Sequence, residues 1–243
     1  MLANTEKLLS LLANHDVRAT FFVLGCVAEA VPGLVSRIAA AGHEIASHGY
    51  SHRLVTELDP SGFRDELRHT GEILESQSGQ KIVGFRAPQW SLSDATPWAF
   101  EILHEQGYWY DSSCSPLPIV GNPAGPRTPY KMEMERGSIW EIPPMVTPSL
   151  LCNLPTGGGW GLRLFPRRMI HNTIRELNDA GLPAVLFIHP RELDPSGPRL
   201  RLGPLKSFVS YGPKTDLSRR LTDLLRGFRF ATLKEMVEEW KSA

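Results

Sequence analysis

Short apolar runs alternate along the chain with longer stretches whose apolar positions recur at helical spacing. Residues 2–14 place Leu8, Leu9, Leu11 and Leu12 on one face and predict a helix. Ala19-Thr20-Phe21-Phe22-Val23-Leu24 follows as a buried strand. The same alternation predicts strands over 44–47, 82–86, 108–111, 184–189 and 229–232. It predicts helices over 32–41, 60–77, 94–106, 166–180, 215–226 and 233–240. Pro32 and Pro60 sit in first turns, where a missing N–H costs nothing.

Between residues 116 and 161 the alternation stops. This stretch holds nine prolines and the run Gly157-Gly158-Gly159, with one predicted strand at 139–142. Long irregular segments in compact domains are usually functional, and this one carries Trp140, Met145, Leu150 and Trp160. The reading is an ordered, substrate-facing insertion in a single domain over residues 1–243. Seven strands interleaved with about seven helices predict an α/β fold, an irregular (β/α) barrel one unit short of eight. Chemistry in such barrels sits at the C-terminal ends of strands.

Charge narrows the partners. Lys+Arg number 26 and Asp+Glu 26, so nothing favours nucleic acid or an anionic membrane. No apolar stretch is long enough to span a bilayer, and the first residues lack a secretory pattern, so a cytoplasmic location is expected. Cys26, Cys114 and Cys152 are odd in number and far apart, and read as ordinary thiols in a reducing compartment.

Candidate chemistry follows the strand ends. Ser47-His48-Gly49-Tyr50-Ser51-His52 sets two imidazoles four residues apart, and in a helical turn both would share one face. Imidazole suits a divalent metal such as zinc, but a catalytic zinc site takes three protein ligands, so the third must come from elsewhere. Two polar loop histidines remain the plain alternative. Arg86, in Arg86-Ala87-Pro88-Gln89-Trp90, can hold a carboxylate or developing negative charge, or serve as a surface arginine beside a turn. His189 ends the apolar run Leu186-Phe187-Ile188 and is placed to protonate a leaving amine, although a lone strand-end histidine is more often structural. Asp111 orients His189 or Arg86, or caps its own turn. Trp90 and Trp98 can wall a carbohydrate groove, as can Trp160 in the insertion, though core packing is the commoner fate of tryptophan. His15, His43, His69, His104 and His171 read as solvated or capping residues.

In this order the motifs resemble the polysaccharide deacetylase family, also called the NodB-homology domain or carbohydrate esterase family 4, over residues 4–239. Residues 42–52 are similar to its metal-histidine motif, Arg86 to Trp90 to its arginine motif, and residues 186–189 to its last motif. The resemblance implies His48 and His52 as metal ligands, Arg86 steadying a catalytic base, and His189 as general acid. Residues 157–160, 189–195 and 227–232 further resemble a subgroup from bacterial exopolysaccharide loci with an extra C-terminal segment. That implies metal-dependent N-deacetylation of an acetamido sugar in a polysaccharide or oligosaccharide. The family's first strand, with its paired aspartates supplying base and third ligand, has no counterpart here, and Asp16 lies at the opposite end of the barrel. Enzyme activity therefore depends on a base and a ligand supplied from elsewhere. Three accounts follow from the sequence: a deacetylase whose reading frame starts further upstream, a truncated homologue that binds carbohydrate without turnover, or a relative of the same fold acting on a small amide.

Overall fold

The computed structural model describes residues 2–93, 95–118 and 120–242. Its elements in chain order are α1 (Leu2–Ala13), β1 (Thr20–Val23), α2 (Gly25–Ala30), α3 (Leu34–Ala40), β2 (Glu44–Ser47), α4 (Pro60–Ser78), β3 (Gly84–Phe85), α5 (Trp98–Glu105) and β4 (Tyr110–Asp111). The second half adds β5 (Tyr130–Met134), β6 (Gly137–Glu141), β7 (Thr147–Pro148), β8 (Asn153–Leu154), α6 (Gly159–Leu164), α7 (Arg167–Asp179), α8 (Pro204–Tyr211), α9 (Ser218–Gly227) and α10 (Leu233–Ser242).

Helices flank a central sheet of order β1-β2-β3-β4-β6-β5, parallel except for the antiparallel β5–β6 hairpin. A separate β7–β8 ribbon stands in the insertion. All of β2 is buried, as expected of a parallel strand covered on both faces. Its charged first residue, Glu44, is satisfied by Thr20 Oγ1 at 2.5 Å, Tyr110 OH at 2.7 Å and the Lys234 backbone N–H at 3.0 Å. That carboxyl joins the start of α10 to the end of the sheet opposite the predicted chemistry. α4 is framed as its sequence dictates, with Asp59 accepting from Gly62 N at 2.7 Å, Pro60 in the first turn and Gly79 closing it at φ +68°.

Three apolar clusters fill the interior. Ile45, Phe63, Leu67, Phe85 and Leu103 anchor the first, and Leu8, Leu12, Ile170, Ile174 and Leu221 the second. In the third, Val83, Tyr110 and Ile142 pack with Val185, Leu233 and Val237. Segment 184–188 meets the insertion through Met145 N to Val185 O (2.8 Å), Phe187 N to Gly157 O (2.8 Å) and a single Gly158–Phe187 bridge. It forms no ladder, and among the described residues β1 pairs with β2 alone, so the hydrogen-bonded sheet is open.

Several expectations need correction. Residues 184–189 and 229–232 form no laddered strands: the first meets neighbouring backbone only at Val185 and Phe187, and the second enters no ladder among the described residues. The helix expected from Pro32 starts at Leu34, since Gly33 holds φ +80°, a left-handed conformation that suits glycine. Asp94, the expected start of another helix, lies outside the described residues, and α5 begins at Trp98. β5, β7, β8, α2, α6 and α8 lie outside the expected elements. β5 was legible: Tyr130, Met132 and Met134 alternate with Lys131 and Glu133. No helix among the described residues is long and apolar enough to cross a membrane.

Candidate active site

The loop leaving β2 carries both predicted imidazoles, and it is not helical. His48 N donates to Val23 O, while Gly25 N and Cys26 N donate back to Gly49 O and Tyr50 O, pinning the loop to the start of α2. Gly49 holds φ +77° and His52 φ +62°, and these two turns, rather than a helical face, bring the rings together. The ring centroids of His48 and His52 lie 5.4 Å apart, near perpendicular. His48 Nδ1 lies 2.6 Å from the Arg86 carbonyl oxygen. A carbonyl only accepts, so Nδ1 carries the proton and Nε2 keeps its lone pair. Burial, with smaller contributions from His52, Arg86 and His189, lowers the His48 pKa to about 4, so the ring is neutral near pH 7.

Arg86 leaves the end of β3 into an aromatic enclosure. Its guanidinium carbon stands 4.4 Å from the Phe22 ring centroid, 5.2 Å from Trp90 and 5.7 Å from Phe187. Nε donates to Ser112 O at 2.9 Å and Nη2 to Ser112 Oγ at 2.6 Å. Burial lowers its pKa to about 10, which still leaves it charged at neutral pH. No ion-pair partner for it appears among the described residues. Gln89 and Trp90 both adopt positive φ, +51° and +59°, a strained turn that lays the Trp90 ring 5.0 Å from Phe187.

His189 follows segment 184–188 and faces Phe187 at 6.1 Å. A 3₁₀ turn, Pro190–Leu193, carries Glu192 back so that Oε1 accepts from His189 N (3.2 Å) and meets His189 Nδ1 (2.8 Å). Glu192 is buried, and Arg163 of α6, also buried, approaches its other oxygen at 3.6 Å. Arg163 is itself held by the carbonyls of Pro213 (2.8 Å) and Tyr211 (2.7 Å). Sequence reading missed Glu192 and Arg163, although the three-residue step from His189 to Glu192 was a visible capping-box signal.

Asp111 bonds neither His189 nor Arg86. It accepts from Ser113 Oγ (2.6 Å) and Ser113 N (3.0 Å) at the end of β4. Trp160 stacks 5.2 Å from Phe208 and 6.0 Å from Phe165, and Trp98 packs against Phe63. The structure thus brings His48, His52, Arg86, Trp90 and His189 to one end of the sheet and places Trp160 in a different aromatic group.

The donor set tests the expected zinc. His48 and His52 supply two neutral nitrogens, and no third His, Cys, Asp or Glu completes a set with them among the described residues. The residues present therefore do not fit a three-ligand catalytic zinc. A different potential cluster, Asp111, Cys114 and Glu141, has ligand atoms within 4.8 Å of one another. Burial, then Asp111, pushes the Glu141 carboxyl well up, and burial raises the Cys114 thiol, so a cation there would bind in competition with protons.

Comparison with known proteins finds relatives for both halves of the chain. A polysaccharide deacetylase family model matches residues 2–109, and a model described as a domain of unknown function (DUF3473) matches residues 112–238. The chain is 39% identical over 98 residues to a peptidoglycan-N-acetylglucosamine deacetylase of Bacillus cereus, covering 40% of this chain and 36% of that protein. It is 40% identical over 79 residues to a chitooligosaccharide deacetylase of Rhizobium leguminosarum bv. trifolii, covering 32% and 37%. The match thus spans little more than a third of these relatives. Among solved structures, a Mycobacterium smegmatis protein classed with polysaccharide deacetylases superposes at TM-score 0.66 and 28% identity, over 99% of this chain and 78% of that one. A CE4 family pseudoenzyme from Bacillus anthracis shares the fold at TM-score 0.55 and 17% identity, over 97% and 60%.

Proposed function

Because the chain belongs to the polysaccharide deacetylase superfamily, with the DUF3473 domain as its C-terminal half, we propose that it binds a glycan bearing acetamido sugars at this site without hydrolysing it. The observation that carries the reading is the missing carboxylate: among the described residues, no acidic group joins His48 and His52. Amide hydrolysis needs a base to take the proton from water and an acid to protonate the departing amine. His189 suits the second role. The nearby carboxyls are committed elsewhere, Glu192 to His189 and Asp111 to Ser113.

What remains is a recognition surface. The Trp90 face can stack on a sugar ring, and Arg86 and the imidazole nitrogens can meet an acetamido carbonyl and ring hydroxyls. The names of the Bacillus cereus and Rhizobium relatives direct the choice of ligand to peptidoglycan N-acetylglucosamine and chitooligosaccharides.

Calorimetric titration of the chain with a chitooligosaccharide and its de-N-acetylated counterpart, with acetate followed in the same samples, tests this. Selective binding of the acetylated form without acetate release supports it. Absence of binding, or steady acetate release, overturns it. Release that rises with added zinc establishes a second reading, metal-dependent N-deacetylation with base and third ligand supplied from outside the described residues. Its support is the convergence of His48, His52, Arg86 and His189 already described.

A further inference from the structure

The buried groups at the end of β4 take no part in the site's ligand contacts, yet one chain of hydrogen bonds leads from them to His48. His48 Nδ1 meets the Arg86 carbonyl oxygen at 2.6 Å. The next atoms of that same peptide group, Ala87 N–H, donate to Ser113 Oγ at 2.7 Å. Ser113 Oγ donates in turn to Asp111 Oδ1 at 2.6 Å, and Ser113 N holds Asp111 Oδ2 at 3.0 Å. One peptide plane therefore has the imidazole on its oxygen and a serine–carboxylate pair on its hydrogen.

We propose that Ser113 and Asp111 are positioning residues for His48, acting through the Arg86–Ala87 peptide to keep the His48 proton on Nδ1 and the Nε2 lone pair free for the site. The physical reason is cooperative polarisation. An acceptor on the amide hydrogen draws charge toward the carbonyl oxygen, which strengthens the bond that oxygen accepts. It also locks the peptide plane, and the plane's angle decides whether the carbonyl meets Nδ1. Ser113 and Ala87 are buried, so water does not compete for these groups. Glu141 lies buried beside Asp111, and burial with the Asp111 charge pushes its carboxyl well up, which favours the proton on Glu141 over Asp111. Ser112, the neighbouring residue, does the parallel work for the Arg86 side chain, so two consecutive serines set both ends of one arginine.

The inference rests on His48 as a site residue, but its test needs no glycan, so the two readings fail separately. Long-range ¹H–¹⁵N NMR of the imidazoles in the ligand-free chain near pH 7 reports the tautomer. The wild type is expected to show one His48 form, protonated at Nδ1. Ser113→Ala is expected to lose that uniform signature and give a mixture of tautomers, and Asp111→Asn to shift it in the same direction. Ser113→Thr, which keeps the hydroxyl, is expected to restore it. A folded Ser113→Ala or Asp111→Asn chain with the wild-type His48 signature overturns the proposal. If neither variant folds, the wild type still decides, because a His48 proton found on Nε2 overturns it directly.

Discussion

His189 and Glu192 form a pair made twice over: the Glu192 carboxylate oxygen Oε1 receives both the His189 backbone N–H, at 3.2 Å, and the ring Nδ1, at 2.8 Å. The histidine is half-exposed and the glutamate buried, with the Arg163 guanidinium 3.6 Å from its other oxygen. One carboxylate thus orients a site imidazole and compensates a buried cation.

Glu192→Ala leaves Arg163 uncompensated in the interior. Breaking a buried pair from one side costs about 3–5 kcal/mol, and that loss is expected in urea unfolding of this variant. Glu192→Gln, which keeps an acceptor for the His189 N–H, is expected to lose distinctly less. Equal losses would show that packing, and not charge, holds this corner.

His48 makes stability depend on pH. Its folded pKa, near 4, lies below the ordinary histidine value of 6.5, so between these values the unfolded chain binds more protons. The stabilisation is complete above about 6.5, declines as pH falls through the window, and is gone below about 4. At about 1.4 kcal/mol per unit, the upper bound is about 3.5 kcal/mol. Urea unfolding at pH 7 and pH 4.5 should show a smaller acid loss in His48→Gln than in wild type. Parallel losses in the two proteins would contradict the assignment, and the subtraction removes the raised carboxyls of Glu44, Asp111 and Glu141 from the comparison.

Trp90→Ala removes the aromatic face that we assign to a sugar ring. An aromatic contact of this kind is worth about 1 kcal/mol, so affinity for a chitooligosaccharide is expected to weaken about five- to tenfold. Calorimetry reads this directly, and unchanged affinity would place the glycan elsewhere.

Glu44→Ala removes the acceptor shared by Thr20, Tyr110 and the Lys234 N–H in the first turn of α10. The last helix should loosen before the rest of the fold. Hydrogen exchange is expected to speed up across α10 by at least tenfold while α4 keeps its protection. Uniform acceleration over both helices would show that Glu44 serves the whole core and not that helix.

Much of this molecule is written locally. Apolar spacing marks α1, α4, α7 and α9 to within a few residues, because one buried face repeats along each helix. Alternation and apolar runs mark β1 and β2, and the residue types after β2 and β3 place His48, His52 and Arg86 at one end of a sheet. Tertiary structure decided the rest. Whether residues 184–188 enter a ladder depends on which backbone lies alongside, and the neighbours are Met145, Gly157 and Gly158, far away in sequence. Asp111 takes the local alternative, accepting from Ser113 two residues on, but that this serine also meets the Ala87 N–H is decided by packing. Among the described residues no third ligand joins the two histidines in space, as the motifs already implied. Spacing along a chain fixes which side chains share a face of one element, whereas hydrogen bonds between elements are set by the packing that brings those faces together.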